Sequence, residues 1–159
     1  EKPAYIRVGR NAVDPTYEED NVPFEMDHAT VVTEGNTNGN DVAIITCGEM
    51  VKPAKDAARL LKAEGISASV LDMYCIKPLD EELVVAAAKE CGKVVTVEEH
   101  SVIGGLGSAV CDVLCEKAPT PVLKIGVQDV FGESGPAVKL LEKYKLDGQG
   151  VYEQVKAYM

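Results

Sequence analysis

Short apolar runs and helical stripes alternate along this chain of 159 residues. Runs of β-branched and other apolar residues, bounded by Gly or Pro, predict strands buried within a sheet. The predicted strands cover residues 30–33, 42–46, 68–73, 94–97 and 122–127. Apolar residues three and four positions apart predict helices after Pro53, from Asp80, from about Gly105, from Gly135–Pro136 and at the carboxyl terminus. This order predicts an α/β fold, a mainly parallel sheet with helices on both faces.

The first 28 residues follow a different pattern. Residues 4–8 alternate apolar and polar side chains, which predicts a strand that ends at Gly9. The residues that follow, up to 27, are irregular and include Pro15, Pro23 and an acidic patch at 18–20, a composition typical of a linker. Because a lone strand cannot bury its faces, we expect its sheet to lie in a preceding region, and the chain to be part of a longer protein.

Charge and composition exclude several functions. Asp and Glu outnumber Lys and Arg by 26 to 16, a net charge of -10 that argues against a nucleic-acid surface. No apolar run is long enough to span a membrane, and no signal-peptide pattern opens the chain. The five cysteines include no CxxC pair, so neither a disulfide framework nor a zinc site is indicated. We therefore expect a cytoplasmic protein with reduced thiols.

Residues 94–110 contain the densest candidate chemistry. A predicted strand is followed by Glu98, Glu99 and His100 and then by the Gly-rich sequence GGLG, which opens a helix. In open α/β sheets, ligands bind outside the carboxyl ends of strands, and free amides at a helix start bind phosphate. A dinucleotide site is nevertheless disfavoured. The predicted loop of residues 98–103 is too long, Val110 replaces the third glycine, and two carboxylates crowd the anion position.

Glu98, Glu99 and His100 have two competing interpretations. They could form an acid/base set, since histidine titrates near neutral pH. They could equally well cap the loop or lie at a subunit contact. Adjacent residues of an extended chain point to opposite sides, so the two carboxylates are not expected to act on one atom. We favour the structural or interface interpretation and assign no catalytic residue.

Arg7 and Arg10 lie at the end of the first predicted strand, where a guanidinium could bind a phosphate. Their spacing places them on opposite faces of a strand, so at most one serves a given site. From the local sequence alone, a solvated arginine is the simpler interpretation of each.

Five segments together carry a family resemblance. They are YIRVGRN at 5–11, DVAIITCGEMV at 41–51, IKPLDEEL at 76–83, VVTVEEHSVIGGLGSAV at 94–110 and DVFGESGPAVKLLEKY at 129–144. In this order they resemble the carboxyl-terminal part of the transketolase family. The IKPLD and FGESG forms resemble the carboxyl-terminal section of split bacterial transketolases in particular.

The resemblance implies a transferase that moves a two-carbon ketol group between sugar phosphates, with thiamine diphosphate and a divalent metal ion as cofactors. In that family the cofactors are bound by diphosphate-binding and pyrimidine-binding domains, whose motifs are missing here. The implied division is residues 1–11 as the last strand of the pyrimidine-binding domain, 12–28 as a linker and 29–159 as the carboxyl-terminal domain. This chain alone is then expected to bind neither cofactor and to be inactive, with the missing domains and a further copy of the protein as partners.

The implied fold is a three-layer α/β/α domain with a five-stranded, mostly parallel mixed sheet. The family order 1-3-2-4-5, with an antiparallel first strand, would bring Gly48 and the cluster of Glu98, Glu99 and His100 to one crevice used for packing and dimer contact. Family members also contact the substrate phosphate through an arginine after the last pyrimidine-domain strand. Arg10 matches that position best, with Arg7 as a competitor.

Two alternatives remain open from the sequence. One is the corresponding domain of a 2-oxo acid dehydrogenase β subunit or of deoxyxylulose-phosphate synthase, which share the KPLD region. The other is a free-standing α/β module that binds a nucleotide or regulates a partner.

Overall fold

The computed structural model describes residues 3–6, 8–9, 12–33 and 39–159. These residues form five strands and five α-helices. The strands are β1 (Thr30–Val31), β2 (Val42–Thr46), β3 (Ala68–Asp72), β4 (Val94–Ser101) and β5 (Val122–Val127). The helices are α1 (Val51–Ala63), α2 (Glu81–Cys91), α3 (Leu106–Lys117), α4 (Ala137–Lys143) and α5 (Gly148–Tyr158).

One sheet organises the domain, in the strand order β1-β3-β2-β4-β5. β1 pairs antiparallel with β3, and the other neighbouring strands are parallel. Both the mixed sheet and the order 1-3-2-4-5 implied by the resemblance are confirmed. A helix separates each parallel strand from the next one in the chain, α1 between β2 and β3, α2 between β3 and β4, and α3 between β4 and β5, because parallel strands need a crossover connection.

Two hydrophobic cores lie on opposite faces of the sheet, which confirms the three-layer architecture. All five residues of β2 are buried, and their side chains alternate between the two cores. Val42 and Ile44 pack in the core that also contains α1 and α5. Ala43 and Ile45 pack in the core that contains α2 and α3. A strand buried on both faces explains why its sequence is continuously apolar.

Helix boundaries follow the predicted signals with one correction. The Asp80 side chain accepts a hydrogen bond from the Leu83 amide at the start of α2, and Gly92 ends that helix with a positive φ of 67°. α1, however, begins at Val51, before Pro53, and follows a short 3₁₀ turn at Gly48–Met50. Pro53 is tolerated because the first turn of a helix does not need its missing N–H.

β4 is longer than predicted. It runs to Ser101, so Glu98, Glu99 and His100 belong to the strand and not to a loop of residues 98–103. Ser101 pairs with Val127 of β5, after an irregularity in the register that begins at Val97. The extension was not predicted because its side chains are polar, as expected where a strand leaves the apolar core.

The amino-terminal segment forms no strand in its described residues, 3–6 and 8–9. Tyr5, Ile6 and Val8 are 91%, 82% and 80% exposed, so the alternating pattern is not buried against a sheet in this structure. The strand prediction for residues 4–8 is therefore not met here, because a strand needs a neighbour for its hydrogen bonds. The division into residues 1–11, 12–28 and 29–159 stays a prediction.

Candidate functional site

β2 and β3 end side by side at the carboxyl edge of the sheet, next to β4, which continues to Ser101. Thr46, the last residue of β2, pairs with Asp72 of β3 on one side and with Val97 of β4 on the other. The next residue, Cys47, therefore lies between Asp72 and Glu98. Burial is the larger cause and the Glu98 and Asp72 carboxylates the smaller one, and together they raise the pKa of the Cys47 thiol to about 11. This neutral thiol is a poor nucleophile at physiological pH.

Glu98 is buried, with only 3% of its surface exposed, and it caps α3. Its Oε2 accepts a hydrogen bond from the Leu106 amide at 2.7 Å, and its Oε1 accepts one from the Gly107 amide at 2.9 Å. The residue at the cap position, Gly105, has no side chain to do this. A carboxylate is well suited to the position because a helix start exposes unpaired N–H groups and a positive dipole end.

The Gly-rich sequence makes room for this contact. A Cβ on Gly105 would lie 2.0 Å from Glu98 Oε2 and 2.9 Å from His100 Nδ1, closer than atoms can approach. A Cβ on Gly107 would lie 2.7 Å from both Thr96 Oγ1 and the Lys124 side chain, so this glycine lets α3 pack tightly on the sheet. The glycines of the GGLG sequence thus leave space for the Glu98 carboxylate and for close packing of α3 on the sheet.

The anion position at the start of α3 is consequently filled by the chain itself. A phosphate there would compete with Glu98 for the same two amides and would face its negative charge. The geometry agrees with the sequence argument against a dinucleotide site. For the same reason, the residues present do not fit the diphosphate of a thiamine cofactor at this turn.

His100 and Glu99 do not complete an acid/base set with Glu98. The His100 side chain is 61% exposed, and its Nδ1 lies 2.8 Å from the Ser101 carbonyl oxygen but 3.9 Å from Glu98 Oε2. Glu99 is exposed, on the side of the strand that alternation predicts to be opposite Glu98. Both oxygens of Glu98 are engaged by α3. The structural interpretation is therefore supported for Glu98, whereas an interface role for Glu99 and His100 stays a prediction.

Gly48 reaches the same edge from β2. It follows Cys47, opens the 3₁₀ turn and has a positive φ of 57°, a conformation that glycine adopts without strain. That turn contacts β4. Gly48 therefore lies at the edge that β4 passes, and a crevice shared by Gly48 with Glu98, Glu99 and His100 stays a prediction.

Sequence reasoning missed Asp72 and Tyr17. The Tyr17 hydroxyl donates a hydrogen bond of 2.7 Å to Asp72 Oδ2, although the two residues lie far apart in the chain. Asp72 is only 5% exposed, and its other oxygen has no hydrogen-bond partner among the described residues. Burial raises the pKa of Asp72, while the bond from Tyr17 opposes this; burial and the nearby carboxylate also raise the pKa of Tyr17. An acidic residue ending an apolar strand was the available signal.

Further contacts hold the linker segment, residues 12–28, against the domain. The rings of Phe24 and Tyr74 lie 5.2 Å apart, and Asp14 Oδ2 lies 3.6 Å from Lys52 Nζ. Just after the segment, the Ala29 amide donates to the Asp80 carboxylate at 2.9 Å. The segment that composition marks as a linker is therefore attached to the domain at several points, including the carboxyl edge.

The two arginines, a metal site and a membrane helix are the remaining candidate features. Arg7 and Arg10 lie outside the described residues. Within the described ranges, no group of three or more His, Cys, Asp or Glu side chains could hold a metal ion. In the same ranges, no helix has both the length and the apolar character needed to cross a membrane.

Comparison with known proteins shows the family to which this chain belongs. Residues 30–151 match the family described as transketolase, C-terminal domain. The chain belongs to this family. The three-layer domain, its strand order and the matched segments all agree with the membership.

Two similar proteins are components of transketolases with more than one polypeptide. The chain is 42% identical over 150 residues to an apulose-4-phosphate transketolase subunit of Phocaeicola vulgatus, a match that covers 94% of this chain and 46% of that protein. It is 41% identical over 149 residues to 6-deoxy-6-sulfo-D-fructose transketolase subunit SqwH of a Clostridium species, covering 94% and 45%. The chain therefore spans about half the length of these relatives.

A solved structure and a second enzyme type extend the comparison. A solved structure of a split gene transketolase, an inactive beta4 tetramer, superposes with a TM-score of 0.85 at 50% identity, covering 93% of this chain and 47% of that one. The chain is also 44% identical over 114 residues to 1-deoxy-D-xylulose-5-phosphate synthase of Heliobacterium modesticaldum, covering 71% of this chain and 18% of that enzyme.

Proposed function

We propose that this chain is the carboxyl-terminal domain of a transketolase that uses thiamine diphosphate and a divalent metal ion to transfer a two-carbon ketol group between sugar phosphates. In this proposal the cofactors are held by diphosphate-binding and pyrimidine-binding domains that the described chain does not contain. The domain itself packs against those domains and against a further copy of the enzyme. The free thiols suit the cytoplasm as the compartment.

One observation supports the proposal that other domains bind the cofactors and that this domain serves for packing. In α/β proteins the carboxyl edge of the sheet is the usual ligand site, but here groups on both sides of that edge are bound within the chain. Glu98 takes the exposed amides of α3, and Tyr17 of the linker segment binds Asp72. The edge therefore offers a surface for packing in place of a cofactor site.

An activity assay tests this proposal. We expect the 159-residue chain alone to give no ketol transfer from a ketose phosphate to an aldose phosphate, with thiamine diphosphate and Mg²⁺ present. The enzyme that joins this chain to the two cofactor-binding domains should turn over the same substrates. Activity of the chain alone would contradict the proposal.

A synthase activity is the second candidate, because the identity to 1-deoxy-D-xylulose-5-phosphate synthase reaches 44%. The match is shorter than the matches to transketolase subunits, which cover 94% of the chain. Supplying the complete enzyme with pyruvate as donor distinguishes the two. Transfer from pyruvate, and none from a ketose phosphate, would replace the transketolase assignment by the synthase.

Arg10 is our proposal for a contact to the substrate phosphate, on the strength of its position after the segment YIRVG. A guanidinium forms charge-assisted hydrogen bonds to phosphate that contribute roughly 1.5–3 kcal/mol each. In the complete enzyme, Arg10→Ala should raise the KM for phosphorylated sugars by about tenfold or more and leave free sugars little affected. Arg7→Ala is the matched control, and equal losses for both sugar types would exclude Arg10.

A further inference from the structure

A groove of about 560 Å³ lies beside α1, at the amino end of β3 and away from the carboxyl edge. Its volume is within the range of small-molecule sites. The groove is formed by α1, by the residues that follow β1 and by the turn that leads into β3. None of these residues takes part in the site described above.

The floor of the groove is apolar. Val32, Ala58, Ile66 and Ala68 line it, and each is buried or half-buried. An aromatic or aliphatic group placed on this floor would make dispersion contacts. It would also remove apolar surface from water, which is favourable.

The rim of the groove is cationic. Lys55, Arg59 and Lys62 lie four and three residues apart, so they form one stripe along α1. No Asp or Glu is among the described residues that line the groove. Three cations on one stripe stand out in a chain of net charge -10, and they would attract an anion.

Two nearby acids, Asp56 in α1 and Glu64 just after it, are already paired. Asp56 lies 3.1 Å from Lys52 Nζ and 3.2 Å from Arg59 Nη2, which leaves Arg59 other N–H donors. Glu64 lies 2.6 Å from Lys156 Nζ of α5. Lys62 has no ion pair with any residue that the structure describes. Lys62 is therefore the cation most available to a ligand.

Lys55 lies between the groove and a second, acidic cleft. It also lines a smaller cleft that contains Asp14 and Asp56, although it forms no ion pair with a described residue. Its contribution to anion binding should consequently be smaller than that of Lys62. The Thr33 hydroxyl, whose oxygen accepts a bond from the Val70 amide, still has a hydrogen to donate into the groove.

We propose that this groove is a binding site for a small anion that carries an aromatic group, of the nucleoside diphosphate type. The phosphates would bind Lys62, Arg59 and Lys55 at the rim, and the base would cover the apolar floor. The site lies apart from the carboxyl edge and does not depend on the proposed function.

Calorimetric titration of the 159-residue chain with ADP tests the proposal. Inorganic pyrophosphate supplies the charge alone, and adenosine supplies the base alone. We expect ADP to bind one site, pyrophosphate to bind more weakly and adenosine not to bind detectably. Because the contacts are charged and near the surface, ADP affinity should also fall as salt is raised.

Matched variants locate the site. Lys62→Gln should weaken ADP binding roughly fivefold or more, and Lys55→Gln should weaken it less. Lys89→Gln makes the same charge change on the exposed side of α2, across the sheet, and should leave the affinity unchanged. Absence of ADP binding at millimolar concentration would overturn the proposal. So would equal effects of Lys62→Gln and Lys89→Gln, or equal affinity for ADP and pyrophosphate.

Discussion

Removing the Glu98 carboxylate is the most informative change to the domain itself. In Glu98→Ala, the amides of Leu106 and Gly107 at the start of α3 lose their buried acceptor. We expect the variant to fold into the same structure with a clearly lower free energy of unfolding, because a buried helix start without a cap leaves donors unpaired.

The magnitude follows from the two bonds. Each hydrogen bond to a charged group contributes about 1.5–3 kcal/mol, but part of this is offset by the cost of burying the carboxylate. Loss of an ordinary helix cap costs about 1 kcal/mol, which sets the lower limit. We therefore expect Glu98→Ala to lower the free energy of unfolding by roughly 2–4 kcal/mol. Glu98→Gln keeps one acceptor oxygen and should lose less.

Urea unfolding followed by circular dichroism measures this loss, provided that the slope with urea is unchanged. Glu116→Ala is the matched control, since it removes an exposed carboxylate from the same helix, and should change stability by less than about 0.5 kcal/mol. Hydrogen exchange at the Leu106 and Gly107 amides should accelerate in Glu98→Ala alone. Equal stability of Glu98→Ala and Glu116→Ala would refute the capping role.

Three further predictions concern the same edge. Gly105→Ala should destabilise the domain and should not add fully to Glu98→Ala, because its Cβ would occupy the position of the Glu98 carboxylate; a double-mutant cycle measures the coupling. The raised pKa of Asp72 means that its ionisation favours the unfolded state, so its contribution to stability falls as pH rises from 3.8 to the higher folded pKa. Asp72→Asn should abolish that part of the decline, which urea midpoints at pH 4 and pH 7 would detect. Tyr17→Phe should increase amide exchange in the linker segment while exchange in the β2 strand is unchanged; unchanged linker exchange would contradict the anchoring role.

Much of the fold was predictable because burial controls the sequence pattern. β2 and β5 have the predicted bounds, since β2 is an apolar run and β5 is a mainly apolar segment that follows Pro121. Asp80 and Gly92 likewise mark the ends of α2 through local capping chemistry. The strand order was not available from periodicity, and it came from the family resemblance.

The parts that were not predicted depend on contacts between distant residues. The extension of β4 through Glu98 is stabilised by α3, whose amides its carboxylate binds, so the polar sequence alone suggested a loop. The bond between Tyr17 and Asp72 joins residues 55 positions apart and leaves no local pattern. The linker segment therefore has the composition of a flexible connection although it is held by specific contacts.

We propose that this domain serves its enzyme without binding the cofactor. Calorimetric titration of the 159-residue chain with thiamine diphosphate and Mg²⁺ tests it most directly. Saturating ADP and excess Mg²⁺ are at equal concentrations in cell and syringe, so that the groove beside α1 is already occupied and magnesium binding to either diphosphate adds no heat. We expect no heat beyond dilution under these conditions. A saturable isotherm with one site per chain would contradict the claim.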